Sequence, residues 1–417
     1  MITITSPIQN QFHQRDSQNN AKVDIVGVCD FPCKMVVKLA DAIVYEENFL
    51  DNIKLSKVFT QGVYTAEFYA NNRIEKTVNF EVGRVYLVTG HSFAEGVGSS
   101  FVTSEKVFIQ SNIEGALPEI SHFTADVPVY KKITEYAITD KTDSKYNGIW
   151  GQFAENLSKK DNCPVLIYHS SWGGTSLKQW AEACKGIRPT GYAGFNENNP
   201  ADAPYYKTKN ILKSLIKNTG LEAVLIMHGE NDTNDTAENI ESNYKKIIET
   251  MRSDASFSEL PIYVSRSTWR SDTEKKVIKA QNNVIETSTN VFAGPDITLI
   301  GDNGRKRIDT INPQNNDEHL NQEGEKQAAK LWADSIKNYH NKTVVETIIE
   351  NLKPVIGGSS PAVQQSNVIG SVVVFLMLIF LSSKFRFGIF GIIGAGFISM
   401  GIYVSNVFNQ PKNENSN

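Results

Sequence analysis

Between residues 84 and 300 the chain alternates short, almost wholly apolar runs with longer stretches in which apolar residues recur every three or four positions. The runs are Val85-Tyr86-Leu87-Val88, Pro164-Val165-Leu166-Ile167-Tyr168, Ala223-Val224-Leu225-Ile226-Met227, Pro261-Ile262-Tyr263-Val264 and Ile297-Thr298-Leu299-Ile300. Strands that are apolar on both faces belong to a parallel sheet covered by helices on each side. Tyr206 to Lys217 and Ala237 to Met251 have helical period, the second with Ile240, Tyr244, Ile247 and Ile248 on one stripe. A further amphipathic helix is expected around Ala328, Leu331, Trp332 and Ile336. The pattern predicts a three-layer α/β domain over residues 84–340.

The flanks follow different rules. Residues 1–83 alternate with period two, as in Ala21 to Val28, Lys34 to Leu39 and Tyr64 to Ala70. Asn71-Asn72, a pair tolerant of positive φ, separates the last of these from Glu75 to Val82 and so predicts a hairpin. A small β-sandwich is expected, as a spacer. Beyond Tyr339 the chain becomes polar, and 341–366, with Lys353-Pro354 and Gly357-Gly358-Ser359-Ser360-Pro361, reads as a linker. Two uncharged runs follow, Val368 to Leu381 and Phe387 to Val404. A bilayer span needs about 20 apolar residues, so 367–408 is expected to form a transmembrane helical hairpin, with 409–417 a polar tail.

Composition narrows the functional classes. Of 417 residues, 42 are Lys or Arg and 46 Asp or Glu, a formal charge of −4 without a dominant block of either sign. That balance gives no electrostatic footprint for nucleic acid. The four cysteines, Cys29, Cys33, Cys163 and Cys184, lack zinc-finger spacing, and no metal or cofactor is expected. Cys29 and Cys33 are close enough to pair or to remain free. Topology cues conflict: Lys384 and Arg386 favour a cytoplasmic hairpin loop and an extracytoplasmic α/β domain, whereas the N-terminus lacks the pattern of a secretory signal.

In an open parallel sheet, ligands sit outside the carboxyl ends of the strands. The loops there carry Gly90-His91-Ser92-Phe93-Ala94-Glu95-Gly96, His169-Ser170-Ser171-Trp172-Gly173-Gly174-Thr175, His228-Gly229-Glu230-Asn231-Asp232 and, before the last helix, Asp317-Glu318-His319. A serine hydroxyl attacks only when a base takes its proton and fixed donors stabilise the oxyanion. Ser92 is the candidate nucleophile, with its own N–H one oxyanion donor. Gly173 or Gly174 could bring a second backbone N–H close, and the Asn231 amide is a third candidate. His319, with Asp317 to hold its tautomer, is the favoured base. His169 and His228 stay open as alternatives, and His91 is expected to point away from the serine. Taken singly, each element could be a turn or a helix cap. Gly-x-Ser-x-Gly, the elbow of α/β-hydrolases, is not met, because residue 94 is alanine.

Together these loops resemble the four sequence blocks of the SGNH (GDSL-like) hydrolase superfamily, most closely its sialate O-acetylesterase-like branch of carbohydrate esterases, over Arg84 to Tyr339. Gly90 to Gly96 is similar to that branch's Gly-Gln-Ser-Asn-Ala-x-Gly, and Gly173-Gly174-Thr175-Ser176-Leu177 with Trp180 to its Gly-Gly-Thr-Ser-Ile and following tryptophan. Gly229-Glu230-Asn231-Asp232 fits the superfamily's Gly-x-Asn-Asp. Asp317 and His319 take the acid and histidine positions, at Asp-x-His rather than the commoner Asp-x-x-His. The resemblance implies a flavodoxin-like sheet, no metal, and hydrolysis of sugar acetyl esters through an acyl-enzyme. It places His91, Phe93, Thr175, His228 and Glu230 at the substrate pocket, where His91, Phe93 and His228 depart from the branch's usual residues. Two other readings use the same residues: a catalytically degenerate, membrane-tethered carbohydrate-binding protein, and a glycan O-acyltransferase.

Overall fold

The computed structural model describes residues 1–95, 107–110, 130–132, 147–190, 200–269, 271–272, 275–308 and 316–336. The N-terminal alternation folds into strands β1 (Ile2–Ser6), β2 (Gln11–Gln14), β3 (Asn20–Cys29), β4 (Cys33–Leu39), β5 (Ala42–Phe49), β6 (Asn52–Thr60), β7 (Gly62–Ala70) and β8 (Arg73–Gly90). β1, β3 and β6 form one antiparallel sheet, while β5, β4, β7 and the first half of β8 form another. Because successive side chains of a strand face opposite ways, Val23 and Ile25 of the first sheet meet Met35, Val37, Phe68 and Phe80 of the second in a shared core. Asn71 and Asn72 both have positive φ, 49° and 60°, closing the β7–β8 hairpin at the Ala70–Arg73 pair. Cys29 and Cys33 are buried free thiols.

β8 carries the chain from this unit into the α/β sheet without interruption. Val82, at the end of its pairing with β7, is followed two residues later by Arg84, opposite Val165 of the parallel neighbour. From Phe80 onward every residue of the strand is buried, the charged Glu81 and Arg84 included. The sheet is completed by β9 (Val107–Gln110), β10 (Tyr130–Lys132), β11 (Val165–His169), β12 (Ala223–Met227), β13 (Ile262–Arg266) and β14 (Val291–Asp296), in the order β10-β9-β11-β8-β12-β13-β14. All its pairings are parallel except β9 with β10. The order reverses at β8, whose neighbours β11 and β12 lie on opposite sides, as in doubly wound sheets.

The helices include α1 (Ser92–Glu95), α2 (Gln152–Asp161), α3 (Leu177–Cys184), α4 (Ala237–Ala255) and α5 (Lys276–Thr287), with a last helix at 322–336. Val85, Leu87, Leu166 and Val224 pack one face of the sheet on α3, α4 and α5 through Trp180, Ile240, Tyr244 and Val284. Tyr86, Val88, Ile167 and Leu225 pack the other on Phe153, Leu157, Trp332 and Ile336. The helical segment expected at Tyr206 to Lys217 runs to Thr219 with a π-turn at Ile211–Leu215, and Ala237 to Met251 extends to Ala255.

One expected strand is displaced. Ile297 to Ile300 is not a strand, and the parallel strand expected there is β14, just before it. Asp296 Oδ1 accepts the Thr298 N–H at 3.0 Å, which turns the chain into a single 3₁₀ turn and leaves Leu299 exposed. Among the described residues no helix is long and apolar enough to cross a membrane. The linker 341–366, the hairpin 367–408 and the tail 409–417 lie outside the described residues.

Candidate active site

β8 ends on Gly90 at φ 143°, a backbone conformation that side chains disfavour. A Cβ there would also run into the Met227 carbonyl of β12, so glycine lets the two strands close up where the chain turns. Ser92 follows as the first residue of α1, at the carboxyl edge of the sheet. The end of this short helix is tied down from below. Ala94 O accepts from Trp150 Nε1 at 2.5 Å and from His169 Nε2 at 3.0 Å. Burial lowers the His169 imidazole to about 4, so it is neutral and its Nε2 carries the donated hydrogen. His169 is thereby committed to the scaffold rather than to Ser92.

His319 comes from a two-stranded ribbon, β15 (Arg305–Arg307) with β16 (Asp317–Leu320), where the sequence suggested a polar loop. The buried Arg305 guanidinium shapes the approach, donating to Ile297 O at 2.8 Å and to Glu318 O at 2.9 Å. His319 Nε2 lies 2.9 Å from Ser92 Oγ, and its Nδ1 lies 2.7 Å from Asp317 Oδ1. The same Asp317 oxygen accepts the His319 backbone N–H at 3.2 Å. Burial works to raise the Asp317 carboxyl, but these bonds and the nearby imidazole hold it below its ordinary value, so it stays ionised. Phe93 stacks on the His319 ring at 5.0 Å, 25° from parallel, and Trp269 meets it edge-on at 5.4 Å. The two rings fix the plane of the imidazole.

A second imidazole reaches the same hydroxyl. His91 Nδ1 lies 3.1 Å from Ser92 Oγ, contrary to the expectation that this side chain points elsewhere. Its Nε2 is hydrogen-bonded to Glu230 Oε2, and Glu230 Oε1 accepts the Ser267 hydroxyl. His91 and Glu230 are both fully buried. His228 is also buried, its ring edge-on to His91 at 4.7 Å and to Trp180 at 6.0 Å. Thr175, fully buried, donates to Trp172 O at 2.6 Å and accepts from Trp180 Nε1 at 2.8 Å. Of the five residues expected at the substrate pocket, the structure therefore places His91, Thr175, His228 and Glu230 beneath the site surface. Phe93, also buried, lines the pocket described below.

The expected oxyanion donors are differently placed. Asn231 is exposed, and its Nδ2 donates to Thr175 O at 3.0 Å, which aims the amide and leaves its second hydrogen for another acceptor. Asp232 locks the neighbouring loop by accepting the Leu177 N–H at 2.9 Å, at the start of α3. Gly174, at φ 72°, is exposed. The Gly173 N–H is already engaged, donating to Glu95 Oε1 at 2.6 Å. A small pocket over Ser92 is lined by Phe93, Ile149, Lys306, His319, Leu320 and Glu325. Burial pushes the Glu325 carboxyl up to about 7, with Lys306 opposing the shift.

Trp269, Ser267, Lys306 and Glu325 were not singled out in the sequence. The first two follow the apolar run Pro261 to Val264, so the carboxyl-end rule that found the other loops applied to this one as well. Lys306 and Glu325 carry no comparable sequence signal.

The arrangement is a serine whose hydroxyl meets a carboxylate-backed imidazole, on loops at the carboxyl edge of a doubly wound sheet. A family model described as carbohydrate esterase, sialic acid-specific acetylesterase, matches residues 82–338, more than half of the chain. The chain belongs to this family. As a carbohydrate esterase of the sialic acid-specific acetylesterase family it is similar to several solved structures. A carbohydrate acetylesterase from Xanthomonas citri is 13% identical, with 80% of this chain and 74% of that chain covered and a TM-score of 0.48. A protein from Arabidopsis thaliana is 15% identical, with 62% and 98% covered and a TM-score of 0.40. A family two carbohydrate esterase from Cellvibrio japonicus is 8% identical, with 82% and 95% covered and a TM-score of 0.34. No curated protein matches the chain.

Proposed function

We propose that this protein is a serine esterase that removes O-acetyl groups from a sialic acid-like carbohydrate, with Ser92 as nucleophile. The observation that carries the reading is the continuous line from Ser92 Oγ to His319 Nε2 at 2.9 Å and from His319 Nδ1 to Asp317 Oδ1 at 2.7 Å. Asp317 holds the Nδ1–H tautomer, so Nε2 presents its lone pair to the hydroxyl. As Oγ bonds to the acetyl carbon, its proton passes to His319. His319 then returns that proton to the sugar oxygen as the ester bond breaks, leaving acetyl-Ser92. Water attacks in the second half by the same exchange, and acetate departs.

The Ser92 N–H and the free Asn231 amide hydrogen are the oxyanion donors in this reading, with Gly174 beside them. Gly173 joins them only if Glu95 releases its N–H. Asn231→Ala is expected to lower kcat on the order of 10²–10³-fold with little change in KM. Unaltered kcat in that variant would assign Asn231 to loop support instead.

The direct test is acetate release from O-acetylated sialic acid, with an acetylated neutral sugar for comparison and Ser92→Ala as control. Hydrolysis of the sialate ester that disappears in Ser92→Ala supports the proposal. Tight sugar binding without acetate release, and without labelling of Ser92 by a fluorophosphonate, would replace it with the carbohydrate-binding reading. Transfer of acetyl to a sugar hydroxyl in preference to water would replace it with the acyltransferase reading.

A further inference from the structure

Ser92 Oγ is flanked by two imidazoles, and only one can receive its hydrogen. His319 directs Nδ1 to Asp317 and Nε2 to Ser92. His91 is oriented the other way round, with Nε2 on Glu230 and Nδ1 on Ser92. The His91 and Glu230 side chains are both wholly inaccessible to solvent. A buried carboxylate is costly to ionise unless a positive group and hydrogen bonds compensate it. Here one Glu230 oxygen takes the His91 N–H and the other takes the Ser267 hydroxyl.

The surrounding charges decide the state of this pair. Burial lowers the His91 imidazole, but Glu230, Asp232 and Glu95 act against it and leave it above its ordinary value. Burial raises Glu230, while His91 and Ser267 bring it below its ordinary value. His228, edge-on to His91, is held neutral by burial and by the neighbouring charge. Asp232 is raised to about 7 by burial, so it supplies only part of a charge near neutral pH. Across Ser92 stand His319 and Asp317. With a proton on each ring nitrogen, His91 has only one group to offer the hydroxyl, an Nδ1–H donor.

We propose that His91 is a catalytic residue, its Nδ1–H donating to Ser92 Oγ and stabilising the charge on that oxygen when it attacks and when it leaves. The proposal rests on Ser92 being the nucleophile. His91 keeps both of its protons through the cycle. In acylation the hydroxyl proton passes to His319 while Oγ forms its bond to carbon, and the His91 hydrogen bond shortens as negative charge builds on Oγ. In deacylation the carbon–Oγ bond breaks and Oγ takes a proton back from His319, again with the His91 donor facing it. A charge-assisted hydrogen bond is stronger than a neutral one, and its gain is largest where the acceptor is most negative. One lone pair of Oγ remains for attack, because the hydroxyl donates to His319 and accepts from His91.

The pH–rate profile separates this role from a structural ion pair. His91 must be protonated to donate, so kcat is expected to fall at high pH as His91 loses its second proton. His91→Gln keeps an N–H donor of similar reach without a titrating group. It is expected to lose about tenfold in kcat and to lose the high-pH limb, with KM nearly unchanged. Glu230→Gln removes the carboxylate that raises His91, so the high-pH limb is expected to move to lower pH. Fluorophosphonate labelling of Ser92 in each variant shows that the site is folded and the nucleophile competent. A labelled His91→Gln enzyme with wild-type kcat and the wild-type high-pH limb would overturn the role of His91 and leave the esterase reading intact. Full turnover in Ser92→Ala would instead remove the esterase reading beneath both.

Discussion

Replacing Ser92 by alanine is expected to lower kcat for a small aryl acetate on the order of 10⁶-fold, and adding His319→Ala is expected to change almost nothing further. In the proposed mechanism the two side chains act as one device, because the proton that leaves Oγ has its receiver at 2.9 Å. Without the receiver the hydroxyl stays protonated and weakly nucleophilic, and without the hydroxyl the imidazole has no acyl group to serve. Asp317→Ala should be milder, with a loss on the order of 10⁴-fold, since Phe93 and Trp269 still hold the ring and only the tautomer is freed. Initial rates of the three single variants and the Ser92→Ala/His319→Ala double variant check this. Losses that multiply in the double variant would show two independent contributions and contradict a single relay. His91 gives the comparison its limit: it touches the same hydroxyl, but its far nitrogen is committed to Glu230, so it is not expected to replace His319 as base.

The central fold was legible because burial on both faces leaves a plain mark. Val85 to Val88, Val165 to Tyr168, Ala223 to Met227 and Ile262 to Val264 are strands where the apolar runs placed them. The carboxyl-edge rule then led to the loops bearing Ser92, Asn231 and the glycine pair without any knowledge of contacts. β14 was misplaced because its own sequence, Val291-Phe292-Ala293-Gly294-Pro295-Asp296, is broken by glycine and proline. Gly294 is there because the Trp332 ring packs against it from the last helix, a tertiary demand that no local pattern reveals. The β15–β16 ribbon was missed for a related reason. Arg305-Lys306-Arg307 and Asp317-Glu318-His319 are charged, and the ribbon depends on side-chain bonds such as Arg305 to Glu318 O rather than on an apolar face. His91 escaped because adjacency to Ser92 argues only about the backbone. The partner that directs its ring, Glu230, is 139 residues away.

Arg84→Met is expected to destabilise the protein by about 3–5 kcal/mol, the cost of taking the central cation out of a largely buried ion cluster. Arg84 is 1% exposed and lies where β8 passes from the N-terminal sheet into the α/β sheet. Its Nε donates to Glu222 Oε2 at 2.9 Å, one terminal nitrogen binds Glu222 Oε1, and the other binds Asp161 Oδ2 at 2.5 Å. Burial alone would lower this guanidinium, but Tyr86, Glu222 and Asp161 keep it well above its ordinary value, so it is a fixed positive charge. Arg15, joined to Asp161 at 3.4 Å, and Tyr86, donating to Glu222 Oε1 at 2.8 Å, complete the cluster. Removing Arg84 leaves Glu222 with the Tyr86 hydroxyl and the Gln14 amide, and Asp161 with the more distant Arg15. An ion cluster differs from an apolar core in how a second change acts. Adding Glu222→Leu to Arg84→Met removes the stranded carboxylate and should recover part of the lost stability, whereas two core truncations would only add. Urea midpoints of the wild type and both variants measure the difference. Arg84 is six residues before Gly90, about 20 Å along an extended strand, so kcat of the folded Arg84→Met enzyme should stay near wild type. A double variant less stable than Arg84→Met would show that Glu222 is held by something other than the charge of Arg84.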